Sequence, residues 1–170
     1  MYKINRKNIY FILLIALFFQ TALLNHLRIF GAKPDLLLIC VVFFSLFLGS
    51  GAGLECGILA GVFKDIFALD FFGINTFILG ITGFTVGVLN AKFFKDSKTT
   101  QLVLVFSFTI FSMMLHFTLV RIFSKAIILS LREYFVTSII PTGIYTGIIS
   151  IPIFSKFVEM YKLKELEDIL

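Results

Sequence analysis

The feature that most constrains this chain is a series of six apolar runs, because they leave little room for a water-soluble fold. The runs cover residues 8–24, 34–49, 52–69, 73–91, 102–120 and 135–157. Each approaches the ~20 residues that cross ~30 Å of hydrocarbon. The chain is 59% hydrophobic and 15% charged, whereas soluble domains are about 45–50% apolar. A small soluble domain leaves a large fraction of its surface exposed to water, so it cannot bury this many apolar residues. We therefore predict an integral membrane protein.

The predicted architecture is all-α, a single polytopic membrane domain over residues 1–170 with about six transmembrane helices. Helices satisfy their backbone hydrogen bonds internally, and the runs lack the alternating pattern of a membrane barrel. The second run is short and only Ser50 and Gly51 separate it from the third, so we expect a tight helical hairpin. A re-entrant loop is the alternative. No small-residue cleavage site follows the first run, which predicts a retained helix.

The basic residues predict the orientation. With six spans, both termini share one side of the membrane, and that side carries nine of the fifteen Lys and Arg residues. The other side carries five, and Lys64 lies within the third span. Positive charge collects in the cytoplasm, so we expect both termini to be cytoplasmic. Lysines near anionic lipid explain the net charge of +5, and nucleic acid is not needed as a partner.

Glycine is concentrated in the middle of the chain, with nine of twelve residues between positions 49 and 87. On the third span the small residues on one face are Gly53, Gly57 and Gly61, and on the fourth they are Thr76, Gly80, Gly83 and Gly87. Helices in lipid associate through close backbone packing rather than through the hydrophobic effect. Two such faces predict an intimate antiparallel pair, and Gly143 with Gly147 repeats the pattern in the last span.

Three charged residues in or near the third span need an explanation, because an ionised group at mid-bilayer is costly. Asp65 extends the glycine face four residues after Gly61, so we expect it to point inward, while Lys64 reaches outward to water. Asp70 follows, and Asn75 is within reach of either carboxylate. One interpretation is structural, with Asp65 capping the fourth helix. The other is functional, with the cluster forming a partner or ligand surface at the outer leaflet.

Motifs that would indicate an enzyme are not recognisable in the sequence. It has no G-x-S-x-G, no H-E-x-x-H and no phosphate-binding loop. Cys40 and Cys56 lie in apolar runs without metal-ligand spacing, which is typical of small buried side chains. We therefore predict no catalytic residues, no cofactor and no metal site.

The chain resembles the bacterial rod-shape-determining protein family MreD. The motifs that carry the resemblance are Pro34-Asp35 opening an apolar run, Gly61-x-x-x-Asp65 ending the glycine-rich helix, and Gly73-x-Asn75 opening the next helix. The last span matches less closely, with Pro141 and Tyr145 in place but Thr146 where an asparagine is commoner. The specific part of the match is therefore residues 33–91.

The resemblance implies a non-enzymatic membrane component of the cell-elongation machinery. Family members are similar in fold to the substrate-binding subunits of vitamin uptake transporters. They bind MreC directly and, through it, MreB and the peptidoglycan synthases. The resemblance places the partner-binding or structural motif at Pro34, Asp35, Gly57, Gly61, Asp65, Gly73 and Asn75. A substrate-capture subunit of a vitamin transporter is the alternative function.

Overall fold

The computed structural model describes residues 6–22, 32–68, 71–92, 97–124 and 130–167. The α-helices are α1 (Arg6–Ala22), α2 (Leu36–Leu48), α3 (Ser50–Phe67), α4 (Ile74–Leu89), α5 (Lys98–Ser124), α6 (Leu131–Tyr134) and α7 (Ile140–Glu167). A short 3₁₀ turn, Asn90–Lys92, follows α4, and a π-helical turn, Phe135–Ile139, joins α6 to α7. Because α6, the π-turn and α7 follow one another without a break, the described helices correspond one to one with the six predicted runs.

Two of these helices are long and apolar enough to cross a membrane, namely Lys98–Phe123 and Leu131–Met160. Two shorter apolar helices, Leu36–Leu48 and Ile74–Leu89, accompany them. The fifth helix is longer than predicted at both ends, and Arg121 lies in its last turn. At the start of α6, Ser130 and Glu133 form a reciprocal capping box, which satisfies two backbone N–H groups that a helix start leaves unpaired.

The shortest of the main helices, α2, is the centre of the bundle. It contacts α1, α3, α4, α5 and α7, and every residue from Leu37 to Phe47 is buried. Edge-to-face aromatic contacts anchor it to α7, with the centre of the Phe43 ring 5.1 Å from that of Phe154 and 5.0 Å from that of Phe157. At 1.5 Å per residue α2 is only ~20 Å long, and its side chains are enclosed by the neighbouring helices along this whole length.

Backbone-to-backbone packing joins α3 to α4, as the glycine pattern predicts. A Cβ on Gly53 would lie 2.3 Å from the carbonyl oxygen of Gly83, and one on Gly57 would lie 2.1 Å from that of Leu79. Gly80 is the exception, because its Cβ would meet only the Ile58 side chain at 3.4 Å and Leu54 at 3.8 Å. Gly80 nevertheless lies in the contact, since its Cα would be 2.9 Å from a Cβ on Gly57.

Two glycines with positive φ make the tight connections on either side of α3. Gly49, with φ 92°, is the only residue between α2 and α3, so Ser50 and Gly51 lie inside α3 rather than in the turn. Gly73, with φ 101°, is the N-cap of α4. A side chain is strained at such φ values, and glycine is therefore required where the chain reverses within one or a few residues.

The long helices α5 and α7 pack against each other on the outside of this unit. A Cβ on Gly143 would lie 3.1 Å from the Phe106 ring, whereas Gly147 has room for one. The small-residue pattern in the last span therefore brings α7 against side chains of α5, and not against its backbone. A hydrogen bond of 3.2 Å between Thr82 and Ser112 connects α5 to α4.

Candidate functional site

The predicted site residues meet at one end of the bundle, where α2 begins, α3 ends and α4 begins. Asp35 caps α2, Asp65 lies in the last turn of α3, and Gly73 and Asn75 open α4. Gly61 lies beside them, since its Cβ would be 2.3 Å from the Cα of Thr76. We call this region the polar end of the bundle. Gly57 lies one turn deeper, in the α3–α4 contact.

Asp65 is the hydrogen-bond acceptor that closes the α3–α4 connection. Its Oδ1 accepts from the backbone N–H of Asn75 at 3.0 Å and from the Asn75 side-chain amide at 2.9 Å. Its Oδ2 accepts from the backbone N–H groups of Gly73 at 3.0 Å and Thr76 at 2.9 Å, and from the Thr76 hydroxyl at 2.6 Å. The carboxylate is thus an N-terminal cap supplied by the preceding helix.

This cap explains why a buried acid is tolerated. The first N–H groups of a helix have no partner within it, and the positive end of the helix dipole favours a carboxylate there. Asp65 is only 3% exposed, yet five donors replace its hydration. This geometry is that of the structural interpretation, in which Asp65 caps the fourth helix. Asp70 lies outside the described residues.

A second acid, Asp35, performs the same task for α2 and adds an ion pair. Its Oδ1 accepts from the backbone N–H of Leu38 at 3.1 Å, and its Oδ2 lies 2.5 Å from the Lys64 ammonium. The side chains of Asp35 and Lys64 are 15% and 31% exposed. Lys64 was expected to reach outward to water, and the structure also gives it a partner, because the α2–α3 hairpin brings the start of α2 beside the last turn of α3.

Pro34 lies just before this cap. The predicted run begins at Pro34, but the helix begins two residues later, since Asp35 is the N-cap and α2 starts at Leu36. A residue before the N-cap is outside the helix, where the fixed φ of proline restricts the approach of the chain instead.

Two residues that the sequence analysis does not single out as site residues complete the polar end. Gln20 of α1 accepts from the backbone N–H of Leu37 at 3.1 Å and donates to Asp35 at 3.4 Å. Thr146 of α7 accepts from the backbone N–H of Asp35 at 3.2 Å. The only signal for Gln20 is a polar amide in an otherwise apolar run, and Thr146 stands out only as a departure from the commoner asparagine. Four helices, α1, α2, α3 and α7, therefore meet at Asp35.

The opposite end of the bundle carries a smaller polar contact between α1 and α3. The Tyr10 hydroxyl donates to Glu55, and the Arg6 guanidinium lies 3.9 Å from the same carboxylate. A carboxylate near the start of α3 is expected to interact with the helix dipole. The described partners of Glu55 are instead side chains of α1, because α1 and α3 run in the same direction and their starts lie together.

A cavity of about 660 Å³, open to the surface, lies beside this contact between α1 and α3. Tyr10 lines it from α1, and Leu54, Glu55, Ile58, Leu59 and Phe63 line it from α3. Apart from the Tyr10–Glu55 pair, the lining side chains are apolar.

The described polar groups mainly hold helices in place. No three His, Cys, Asp or Glu side chains converge in the described ranges to hold a metal ion. Cys40 and Cys56 are both buried free thiols, which confirms that they are small buried side chains. The arrangement at the polar end can fix helix starts and the shape of the surface above them.

Comparison with known proteins identifies the family. No curated protein and no solved structure matches the chain. The model of one family, described as rod shape-determining protein MreD, matches residues 1–164. This match covers nearly the whole chain, including the motifs at Asp35, Asp65 and Asn75. The chain therefore belongs to the MreD family, whose role is in determining rod shape.

Proposed function

We propose that this protein is a non-enzymatic membrane scaffold of the bacterial cell-elongation machinery. It binds MreC directly and, through MreC, helps to position MreB and the peptidoglycan synthases so that the cell grows as a rod. The observation that carries this proposal is the family match over residues 1–164. The geometry agrees with it, because the carboxylates of Asp35 and Asp65 at the polar end bond to helix starts and to Lys64, and neither lines the cavity between α1 and α3.

In the proposed topology, all six helices lie within the inner membrane and both termini are cytoplasmic. Support comes from the long apolar helices α5 and α7 and from the enclosure of the short α2 by its neighbours. Single cysteines at positions 95 and 127 test this topology, after Cys40 and Cys56 are replaced by serine. An impermeant maleimide added to spheroplasts should label position 127 and not position 95, and the reverse labelling would refute it.

The proposed surface for MreC is the α3–α4 connection at the polar end. Phe72 is 70% exposed there, and the ring of Phe71 lies 5.8 Å from that of Phe123 on α5. Exposed aromatic side chains on a rigid backbone suit packing against a partner helix in lipid. The Asp65 cap fixes the start of α4 and thereby holds these rings in place.

Co-purification with MreC from detergent-solubilised membranes tests this surface. Phe72→Ala should insert normally and lose most of the associated MreC, whereas Phe11→Ala, a similarly exposed control on α1, should keep it. Asp65→Leu should also insert and lose MreC, because the α3–α4 connection loses its cap. Normal MreC recovery with Phe72→Ala and Asp65→Leu would refute the surface assignment.

No specific observation favours the transporter alternative. Small-molecule sites are mostly apolar but place several polar groups around the ligand, and the cavity between α1 and α3 offers only the Tyr10–Glu55 pair, which is already bonded. A thermal-shift screen against vitamins separates the two functions. Stabilisation by a vitamin in the absence of MreC would support the alternative.

A further inference from the structure

The cavity between α1 and α3, named here the α1–α3 groove, is apolar along its length and polar at one end. Gly51 lies at that end, near the starts of both helices, and Leu54 and Ile58 continue the apolar wall toward Phe63. Leu54 and Ile58 are 39% and 41% exposed, so this wall faces outward. In a membrane protein such a groove opens onto hydrocarbon rather than onto water.

An apolar groove next to lipid tails does not stay empty, because atoms lining a void lose their dispersion contacts. The lining of the groove runs along α3 from Gly51 to Phe63, about 18 Å at 1.5 Å per residue. An extended hydrocarbon chain is narrower than a helix and follows the groove along its length.

The charged residue at the Gly51 end of the groove determines which lipid headgroup can bind there. Arg6 begins α1 at this end, and its side chain is 77% exposed. Its contact with Glu55 is 3.9 Å, beyond hydrogen-bonding distance, so its N–H donors can still turn to a phosphate. Basic residues at the cytoplasmic membrane surface attract anionic lipid.

We propose that the α1–α3 groove binds one anionic phospholipid, with an acyl chain along Leu54 and Ile58 and the phosphate at Arg6. This inference rests on the membrane location of the chain and not on its association with MreC. The two proposals also use different surfaces, since the headgroup end of the groove, at Arg6 and Glu55, lies at the end of the bundle opposite to Asp65 and Phe72.

The test is native mass spectrometry of the full chain in mild detergent, titrated with phosphatidylglycerol or phosphatidylcholine. The wild-type chain should bind one phosphatidylglycerol more tightly than phosphatidylcholine. Arg6→Gln should weaken phosphatidylglycerol binding about fivefold, the equivalent of about 1 kcal/mol for one charge near the headgroup, and remove the preference. Arg132→Gln, the same charge change on exposed α6, is the matched control and should leave binding unchanged.

A second variant tests the groove itself. A Cβ on Gly51 would have no neighbouring atom within 4 Å, so a side chain can start there, and Gly51→Phe places a ring at the mouth of the groove and should weaken binding of both lipids. Val88→Phe adds the same ring at an exposed position on α4 and should not. Equal lipid binding by Gly51→Phe and Val88→Phe, or by Arg6→Gln and Arg132→Gln, would overturn the proposal. So would loss of MreC from Gly51→Phe with lipid binding intact, because a partner helix would then occupy the groove.

Discussion

Replacing Lys64 with methionine removes the cation of the Asp35–Lys64 pair while keeping a side chain of similar length. The Asp35 carboxylate keeps its hydrogen bonds from Leu38 and Gln20 but loses the contact at 2.5 Å. Breaking a fully buried pair costs about 3–5 kcal/mol, and breaking an exposed one costs at most about 1 kcal/mol. Because the two side chains are 15% and 31% exposed, we expect Lys64→Met to lower the free energy of unfolding by about 2 kcal/mol.

The contribution of the pair itself is isolated by a double-mutant cycle with Asp35→Asn. Asparagine is as good an N-cap as aspartate, so this substitution removes the charge and keeps the cap of α2. In the Lys64→Met background, Asp35→Asn should be nearly neutral or stabilising, because it removes an uncompensated carboxylate. The coupling energy should be about 1–2 kcal/mol, within the range for residues in contact.

Unfolding by sodium dodecyl sulfate from mixed micelles, followed by far-UV circular dichroism, supplies the measurement. The chain has no tryptophan, so helicity is a better signal than intrinsic fluorescence. Lys156→Met, at an exposed position on α7, is the control for removing a lysine. If Lys64→Met and Lys156→Met are equally stable and the coupling energy is zero, the ion pair does not stabilise the polar end and the reasoning is refuted.

The remaining predictions concern the α3–α4 pair and the core. Gly57→Ala should destabilise by at least about 1–3 kcal/mol in the same unfolding assay, because its Cβ would meet the α4 backbone, whereas Gly80→Ala should be neutral or stabilising by up to about 1 kcal/mol. Equal effects would contradict the packing described. Asp65→Asn should destabilise the protein by about 1–3 kcal/mol. In the wild type the backbone N–H groups of Gly73 and Thr76 donate to a carboxylate oxygen of Asp65, and in the variant the NH₂ group of asparagine, which cannot accept, would take the place of one oxygen. Faster hydrogen exchange at the start of α4 would check this, and unchanged exchange would contradict it. Cys40 and Cys56 should react with a membrane-permeant maleimide only on unfolding, because both are buried; fast labelling of the folded protein would refute their placement.

The helices and the close α3–α4 contact could be predicted from the sequence for a physical reason. Apolar runs of membrane length can satisfy their backbone only as helices, and glycines four residues apart necessarily share one helix face. Asp65 follows from the same spacing, since it lies four residues beyond Gly61. The Asp65 carboxylate can then reach the start of α4 because only a short connection separates α3 from α4.

The ion pair between Lys64 and Asp35 and the role of Gln20 were decided by the tertiary structure. Residues 20, 35, 64 and 146 are far apart in the chain, and no helical period relates them. They meet because Gly49 reverses the chain in one residue, which sets the start of α2 beside the end of α3, and because α1 and α7 enclose α2. Local spacing determines which face of a helix is small or polar, whereas the partner of each face depends on how the helices are arranged around α2.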